Sequence, residues 1–563
     1  MLSLFRFTHI IRLLILVSLS GLNGCNTRQT HPTAAIATAH PLATQAGLTI
    51  LKHGGNAFDA AVAVSAVLAV VEPTGSGLGG GGFWLLHREH DGYQVMIDGR
   101  ETAPGAAHRD MYLGADGNHE KALSLNGPLA AGIPGLPAAL DHISQHYGRL
   151  TLQQTLAPAI VHATSGFKVT PHYQSLAKFR LKTLQDSPAA TQLFLEHNAV
   201  PEIGYVIKQT HLANTLEQLA LQGRDGFYLG PIADQLVQGV TAAGGIWTHQ
   251  DLEGYQVKER QPVTNSYHGY QITSAALPSS GGIVLSTILN QLEQLPLAQT
   301  DKAQQRHFVI EAMKRAYLDR SRYLGDSDFV AIPDHLTTKA YGQRLAATIE
   351  PDRTSDNSLF INDSSKGEDT THFSIVDQYG NRVAATLSIN YPFGSGFVAP
   401  GTGVLLNDEM DDFSAQVGAA NGYGLVGNEA NAIAAYKRPL SSMSPTFIEN
   451  DQQLMVIGTP GGSRIITMVL LGILDFIDQK SAQDIVAAPR FHHQYLPNKV
   501  QIESSGFSQQ EQQAMTDYGH DIQTLSRQYG NMQVITYDKS THQLKAASDP
   551  RGEGQARVEL ITQ

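Results

Sequence analysis

Asp369-Thr370-Thr371-His372-Phe373-Ser374-Ile375-Val376-Asp377 is the stretch from which the rest of the chain is read. A polar run rich in Ser, Asp and Asn, from Thr354 to Asp369, precedes it, and its composition predicts an exposed, flexible segment. After Thr371 the pattern turns to strand. Phe373 and Ile375 alternate with Ser374 and Val376, Asp377-Gln378-Tyr379-Gly380-Asn381 supplies turn residues, and a second β-rich run spans Val383 to Ile389. A hydroxyl residue between a loose segment and a core strand is where a self-cleaving precursor would expose a nucleophile. Cutting Asp369–Thr370 would give Thr370 both a hydroxyl and a free α-amine. Such an amine titrates near pH ~8 and can take the hydroxyl proton. Read alone, the stretch fits an ordinary edge strand equally well.

The bounds set by composition are firm. With 563 residues and 42% hydrophobic content the chain has material for a large core. A net charge of −12, with no Lys/Arg-rich arm, argues against a nucleic-acid partner. The single cysteine, Cys25, excludes a disulfide framework and a thiolate metal site. Arg6 and Arg12 precede the apolar run Leu13 to Val17, too short to span a bilayer and typical of a secretory leader. Leu22-Asn23-Gly24-Cys25 resembles a bacterial lipoprotein signal, with residues 1–24 removed, lipid on Cys25 and a polar tether over 25–34. Asn23 is not the commonest residue there, and conventional cleavage nearby is the alternative. On the first account the protein is held in the cell envelope, periplasmic or touching the membrane only through its lipid.

Pro41 to Lys52 reads as a helix stopped by His53-Gly54-Gly55, and Asn56 caps a second one, Ala57 to Val71, apolar nearly all round and therefore buried. Gly75-Ser76-Gly77-Leu78-Gly79-Gly80 matches a dinucleotide-binding fingerprint letter for letter. That fingerprint needs a strand before and a helix after, whereas here a helix precedes and the strand Phe83 to His87 follows. The glycines instead predict close backbone packing. Residues from about 132 to 345 read as mostly helical scaffold, with Ser279 and Ser280 as pocket candidates.

Further blocks occur in fixed order: Ile97 to Pro104, Asn407 to Phe413, Lys437 to Thr446, and Pro460-Gly461-Gly462-Ser463-Arg464. Together with Thr370-Thr371-His372 they resemble the γ-glutamyltranspeptidase (glutathione hydrolase) family of N-terminal-nucleophile hydrolases, from about Ala35 to Asp549-Pro550-Arg551. The resemblance implies an α/β (α+β) four-layer αββα sandwich built jointly by a large subunit, 35–369, and a small one, 370–563. It implies autocleavage at Asp369–Thr370, a heterodimer from one precursor, and no cofactor or catalytic metal. The implied reaction passes γ-glutamyl groups from glutathione and related γ-glutamyl compounds to water or to acceptor amino acids and dipeptides, through an acyl-enzyme on Thr370.

By the same resemblance Ser388 supports the nucleophile, and Gly461 and Gly462 offer N–H groups to the oxyanion. Arg100, Ser441 and Ser442 meet the substrate α-carboxylate, the guanidinium being able to grip it bidentately. Asn390, Glu409 and Asp412 meet its α-amine, with Glu409 standing where some members carry glutamine. Tyr423 in Asn421-Gly422-Tyr423-Gly424 closes a lid. Ser388 as a plain strand serine and the glycines as a plain turn are the bland readings. His492-His493 and His87 to His90 fit no metal-ligand spacing, so packing and surface roles are assigned to them, and Asn407 to Asp412 lacks the EF-hand pattern of a Ca²⁺ loop. Two rivals stand beside the resemblance. One is an amidase of the same fold acting on a glutaryl side chain or a poly-γ-glutamate; the other is an uncut, non-catalytic lipoprotein.

Overall fold

Strands from both sides of Thr370 interleave in two antiparallel sheets. The computed structural model describes residues 33–355, 370–416, 418 and 420–562. The leader, Cys25, most of the tether, and the polar run from 356 to Asp369 lie outside the described residues. The elements that frame the sheets follow one another in chain order. They are β1 (Thr33–Thr38), α1 (Pro41–Lys52), α2 (Ala57–Val71), β2 (Gly81–Arg88), β3 (Tyr93–Gly99), α3 (Leu136–Tyr147), α4 (Leu152–Ser165), β4 (Lys258–Arg260), β5 (Val263–Tyr267) and β6 (Tyr270–Ser274). After them come α5 (Gly281–Leu292), α6 (Lys302–Tyr323), β7 (Thr371–Val376), β8 (Arg382–Ser388), β9 (Thr446–Glu449), β10 (Gln453–Gly458), α7 (Ile465–Ile477), β11 (Gln533–Asp538), β12 (Gln543–Ser548) and β13 (Gln555–Leu560).

The seven-stranded sheet runs β13-β1-β7-β8-β2-β3-β4, the six-stranded sheet β12-β11-β10-β9-β6-β5. Alternation along the strands sorts side chains to two cores. Ile36, Trp84, Phe373 and Ala385 face α1 to α4, while Ala37, Phe83 and Ala384 join Val456 and Ile535 between the sheets, and Ile457 turns outward to α7. Helices α5 to α7 close the outer face of the second sheet. The result is a four-layer αββα sandwich, as the resemblance implies.

Local chemistry explains the elements around the site. α1 starts where Pro41 sets the first φ and His40 Nδ1 accepts from Leu42 N at 3.2 Å. α2 starts with a capping box, Asn56 Oδ1 accepting from Asp59 N and Asp59 Oδ2 accepting from Asn56 N, each at 2.9 Å. Every residue of α2 is buried, between the first sheet and α1, α3 and α4, which is why it lacks a polar face. The turn from α2 into β2 then passes against β8: a Cβ on Gly80 would sit 2.2 Å from Ser388 O, and one on Gly79 2.0 Å from Leu405 O. Close backbone packing, not a phosphate cradle, accounts for the glycine run.

Three sequence expectations need correction. Thr33 and Ala34, read as the end of the tether, are the first residues of β1. Thr354 and Ser355, read as the start of a loose segment, are half-buried and held by α6: Lys314 Nζ donates to Thr354 Oγ1 and Ser355 O, both at 2.8 Å, and Thr354 N donates to Tyr518 O at 2.8 Å. The helical middle of the chain also contains β4, β5 and β6, which extend both sheets.

Candidate active site

Thr370 sits one residue ahead of β7. In the β7–β8 register Thr371 pairs with Leu387, so Thr370 falls opposite Ser388, and the two hydroxyl oxygens lie 3.4 Å apart. Ser388 Oγ is fixed by accepting from Asn390 N at 2.8 Å. Asn390 has φ +72°, in the left-handed region that Asn tolerates, and its Nδ2 donates to Asp408 O at 3.0 Å. Thr370 is 7% exposed, and Gly75 packs so closely that a Cβ there would lie 3.2 Å from Thr370 O.

Arg100 follows the last residue of β3 and is 1% exposed. Its Nη1 lies 2.6 Å from Glu409 Oε2 and its Nη2 2.6 Å from Asp412 Oδ2, while Glu101 Oε2 stands 3.7 Å away. Nε donates to Pro439 O at 3.2 Å, and Tyr255 Oη donates to Arg100 O at 2.8 Å. Burial alone would lower the guanidinium pKa, but Glu409, Asp412 and Glu101 together push it up. The carboxylates respond in turn. Burial lifts Glu409 to about 7, with Arg100 pulling down and Asp412 pushing up, and burial beside Glu409 drives Glu101 well above the carboxylate range. Glu409 Oε1 is buried with no partner at hydrogen-bonding distance among the described residues. Such an acceptor, facing a cavity, is set to receive a donor from a ligand.

Ser441 and Ser442 complete the opposite wall. Ser280 Oγ donates to Ser441 O at 2.7 Å, and the buried Arg320 of α6 donates to Ser280 Oγ at 2.9 Å and Ser442 Oγ at 3.1 Å. The Asn421–Gly424 loop is folded down on the site and not exposed. Tyr423 Oη donates to Asn390 O at 2.7 Å, Asn421 Nδ2 donates to Asp412 Oδ1 at 3.1 Å, and Gln494 Nε2 donates to Gly424 O at 3.1 Å. The Tyr423 ring covers Gly462 so tightly that a Cβ there would fall 2.4 Å from it. Gly461 and Gly462, with φ +142° and +55°, turn the chain from β10 toward α7, so the Gly462 N–H lies just before the positive end of a helix.

Arg100, Thr370, Ser388, Asn390, Glu409, Asp412, Tyr423, Ser441, Ser442 and Gly462 therefore surround one cavity; Gly461 does not line it. The free space is only about 20 Å³, room for a water molecule. Chemically the cavity joins a threonine hydroxyl to one guanidinium paired with two carboxylates.

The Gamma-glutamyltranspeptidase family profile matches residues 43–558. The chain belongs to the γ-glutamyltranspeptidase family. The glutathione hydrolase proenzyme of Pseudomonas sp. (strain A14) is 43% identical over 86% of this chain and 85% of its own. Among solved structures, the cephalosporin acylase of Bacillus halodurans superposes with a TM-score of 0.82 at 28% identity, covering 94% of this chain and 96% of the acylase. The Helicobacter pylori γ-glutamyltranspeptidase chain gives 0.56 at 39% identity, over 57% of this chain and 93% of that one.

Two residues at this transpeptidase-family site carry no signal in the sequence. Arg320 precedes Ser442 by 122 positions, inside a helix whose pattern reads as scaffold. Glu101 reads only as a local partner for Arg100, yet it is fully buried and neither of its oxygens has a hydrogen-bond partner among the described residues. The histidines go elsewhere. His372 bonds Thr386 Oγ1 at 2.9 Å and is pushed by burial to about 3, and His492 lies between Thr467 Oγ1 and Gln494 Oε1, each at 2.8 Å. His493 contacts Asn498 Oδ1 at 3.2 Å, and His87 contacts Glu89 at 3.0 Å. Among the described residues no group of three or more His, Cys, Asp or Glu side chains is placed to hold a metal.

Proposed function

We propose that the chain is a self-processing γ-glutamyltransferase with glutathione hydrolase activity. Thr370 Oγ1 attacks the Asp369 carbonyl, the peptide rearranges to an ester, and water cleaves it, leaving fragments that end at Asp369 and begin at Thr370. In turnover the same oxygen attacks the γ-carbonyl of the donor amide. Its proton passes to the Thr370 α-amine and then to the departing nitrogen, leaving a γ-glutamyl ester on Thr370. Water or an acceptor amine then attacks that ester carbonyl. The N–H groups of Gly461 and Gly462 stabilise the oxyanion, and Ser388 Oγ, 3.4 Å from the nucleophile, keeps it oriented.

One observation carries the substrate assignment. Beside the nucleophile, a buried guanidinium faces two carboxylates, one of which, Glu409, keeps a buried acceptor oxygen without a hydrogen-bond partner. A γ-glutamyl donor brings both complementary charges: its α-carboxylate to Arg100, Ser441 and Ser442, its α-ammonium to Asn390, Glu409 and Asp412. Opening a cavity of about 20 Å³ for that head group requires movement, and Tyr423, hinged through Asn390 O, is the group that lifts. On the same reading the enzyme works in the bacterial envelope, anchored by lipid on Cys25. Edman sequencing would then find the large fragment blocked at its N-terminus, and an open N-terminus would remove the anchor.

The likeness to a cephalosporin acylase favours a second reading, an amidase for an acyl group such as glutaryl. Glutaryl has no α-amine, so it would bring no cation to Glu409 and Asp412 and no donor to the buried Glu409 Oε1. Comparing γ-glutamyl- and glutaryl-p-nitroanilide decides between them. The γ-glutamyl compound is expected to be preferred by at least about a hundredfold in kcat/KM, two favourable ionic contacts at about tenfold each; dominant glutaryl turnover would overturn the assignment.

A further inference from the structure

Arg320 of α6 is 5% exposed, and among the described residues no carboxylate forms an ion pair with it; its printed partners are two serine hydroxyls. A guanidinium stays charged when buried, and a buried cation without an anion is costly until a ligand brings one. We propose that Arg320 is a positioning residue for the donor α-carboxylate, acting through Ser442 and Ser280 to supply the positive charge that Arg100 alone does not. The proposal rests on the γ-glutamyl reading of the cavity beside Thr370.

The charges around that cavity point this way. Arg100 is held by Glu409 Oε2 and Asp412 Oδ2, each at 2.6 Å, so a carboxylate approaching it meets one cation and two anions. Glu101 adds no charge, because burial beside Glu409 drives it well above the carboxylate range. Arg320 sets two guanidinium groups against two carboxylates, the balance that a zwitterionic head group needs around it. It stands close to both partners of that balance. Burial lowers its pKa most, Tyr317 and Asp412 push it up, and Arg100 lowers it further. Arg320 and Asp412 also line one small cavity beside the lid loop.

Hydrogen bonds give the charge a route. Arg320 does not line the donor cavity, whereas Ser441 and Ser442 do. Its Nη2 donates to Ser442 Oγ at 3.1 Å, so that oxygen accepts, and the serine hydrogen has no acceptor among the described residues. A hydroxyl that accepts from a cation is a stronger donor onward, here to a carboxylate oxygen. Nε donates to Ser280 Oγ at 2.9 Å, and Ser280 Oγ donates to Ser441 O at 2.7 Å, which fixes the main chain from which both serines project. One turn earlier on α6 the buried Tyr317 donates to Ser463 O, next to Gly462, and holds this face of the helix against the site.

The test compares two donors on the whole enzyme. γ-Glutamyl-p-nitroanilide carries the α-carboxylate; 4-aminobutyryl-p-nitroanilide keeps the amine and lacks the carboxylate. Arg320→Gln should raise KM for the γ-glutamyl donor about tenfold, the worth of one charge-assisted hydrogen bond, with kcat held to about twofold and kcat/KM for the 4-aminobutyryl donor unchanged. Arg320→Lys keeps the charge and loses the fork, so its rise in KM should be only about threefold. Cleavage before Thr370 should proceed in both variants, since self-cleavage presents no free α-carboxylate to the serines. Where 4-aminobutyryl turnover is too slow to follow, competitive inhibition by L-glutamate and by 4-aminobutyrate reads the same difference. An equal loss on both donors, or an unchanged KM for the γ-glutamyl donor, overturns the proposal. Should Arg320→Gln fail to fold, Arg320→Lys decides alone: a rise confined to the γ-glutamyl donor supports the proposal, and no rise or an equal one overturns it. Failure of the wild type to release p-nitroaniline from the γ-glutamyl donor removes the γ-glutamyl reading and the proposal together, whereas release that Arg320→Gln leaves unchanged removes the proposal alone.

Discussion

On the proposed reaction, donor affinity turns on Glu409. A carboxyl lifted to about 7 is neutral on the acid side, so the charge that meets the donor ammonium disappears as pH falls through about 7. Donor KM should therefore rise about tenfold from pH 8 to pH 6, the loss in ionised fraction for one group of that pKa. Glu409→Gln should flatten this dependence and raise KM at pH 8 toward the wild-type value at pH 6. A flat wild-type profile, or an equal slope in the variant, would remove Glu409 from the ammonium site. At this scale the sequence was informative wherever a motif keeps its residues close together. Thr370, Asn407 to Asp412 and Ser441-Ser442 are legible that way; Thr370, Glu409, Asp412, Ser441 and Ser442 wall one cavity, Asn407, Asp408 and Asp411 support it from behind, and Met410 packs in a small core beside it. Arg320 and Glu101 were not found, because their importance comes from burial and from partners far away in the chain.

Among the elements, α6 has two tasks. Arg320 near its C-terminus backs Ser442, and Glu311 in its middle anchors the chain just before the cleavage region. Glu311 is fully buried and accepts from Thr354 Oγ1 at 2.8 Å and Ser355 Oγ at 2.6 Å, with Lys314 at 3.0 Å and Arg315 at 2.7 Å. Burial alone would raise its pKa, but Lys314, Ser355 and Arg315 hold it well below the usual range. A depressed carboxyl stabilises the fold above its unfolded pKa, near ~4.3, and loses that contribution as pH falls further. Glu311→Gln should thus cost about 3 kcal/mol at pH 7 by urea unfolding, as expected for breaking a buried ion pair, and less below pH ~4. An unchanged midpoint at pH 7 would show that the clamp carries no stability.

The elements legible beforehand were those with strong local punctuation. α1 and α2 have Pro and Asn starts, and β7 and β8 flank a turn rich in Asp, Gly and Asn. Thr33 and Ala34 read as the end of the tether because they carry weak strand propensity behind a polar run; pairing with β13 makes them the start of β1. β5 exposes alternate residues at the sheet edge and β6 exposes Gln271, so the hairpin blends into the polar surroundings of a helical region.

At the scale of the whole molecule, Thr370 divides the chain but not the core. β1, β2, β3 and β4 come from before it and β7, β8 and β13 from after it in one sheet, and β5 and β6 pair onto β9 to β12 in the other. β1 lies between β13 and β7, so separating the two fragments would strip both edges of a buried strand. A cut before Thr370 should accordingly leave one native particle holding two polypeptides. Sequencing the N-terminus of the shorter polypeptide from active, purified protein is the most direct test of the account. It predicts a free terminus reading Thr-Thr-His-Phe-Ser, absent in Thr370→Ala, which should stay a single inactive chain. A fully active preparation with the chain unbroken before Thr370 would contradict it.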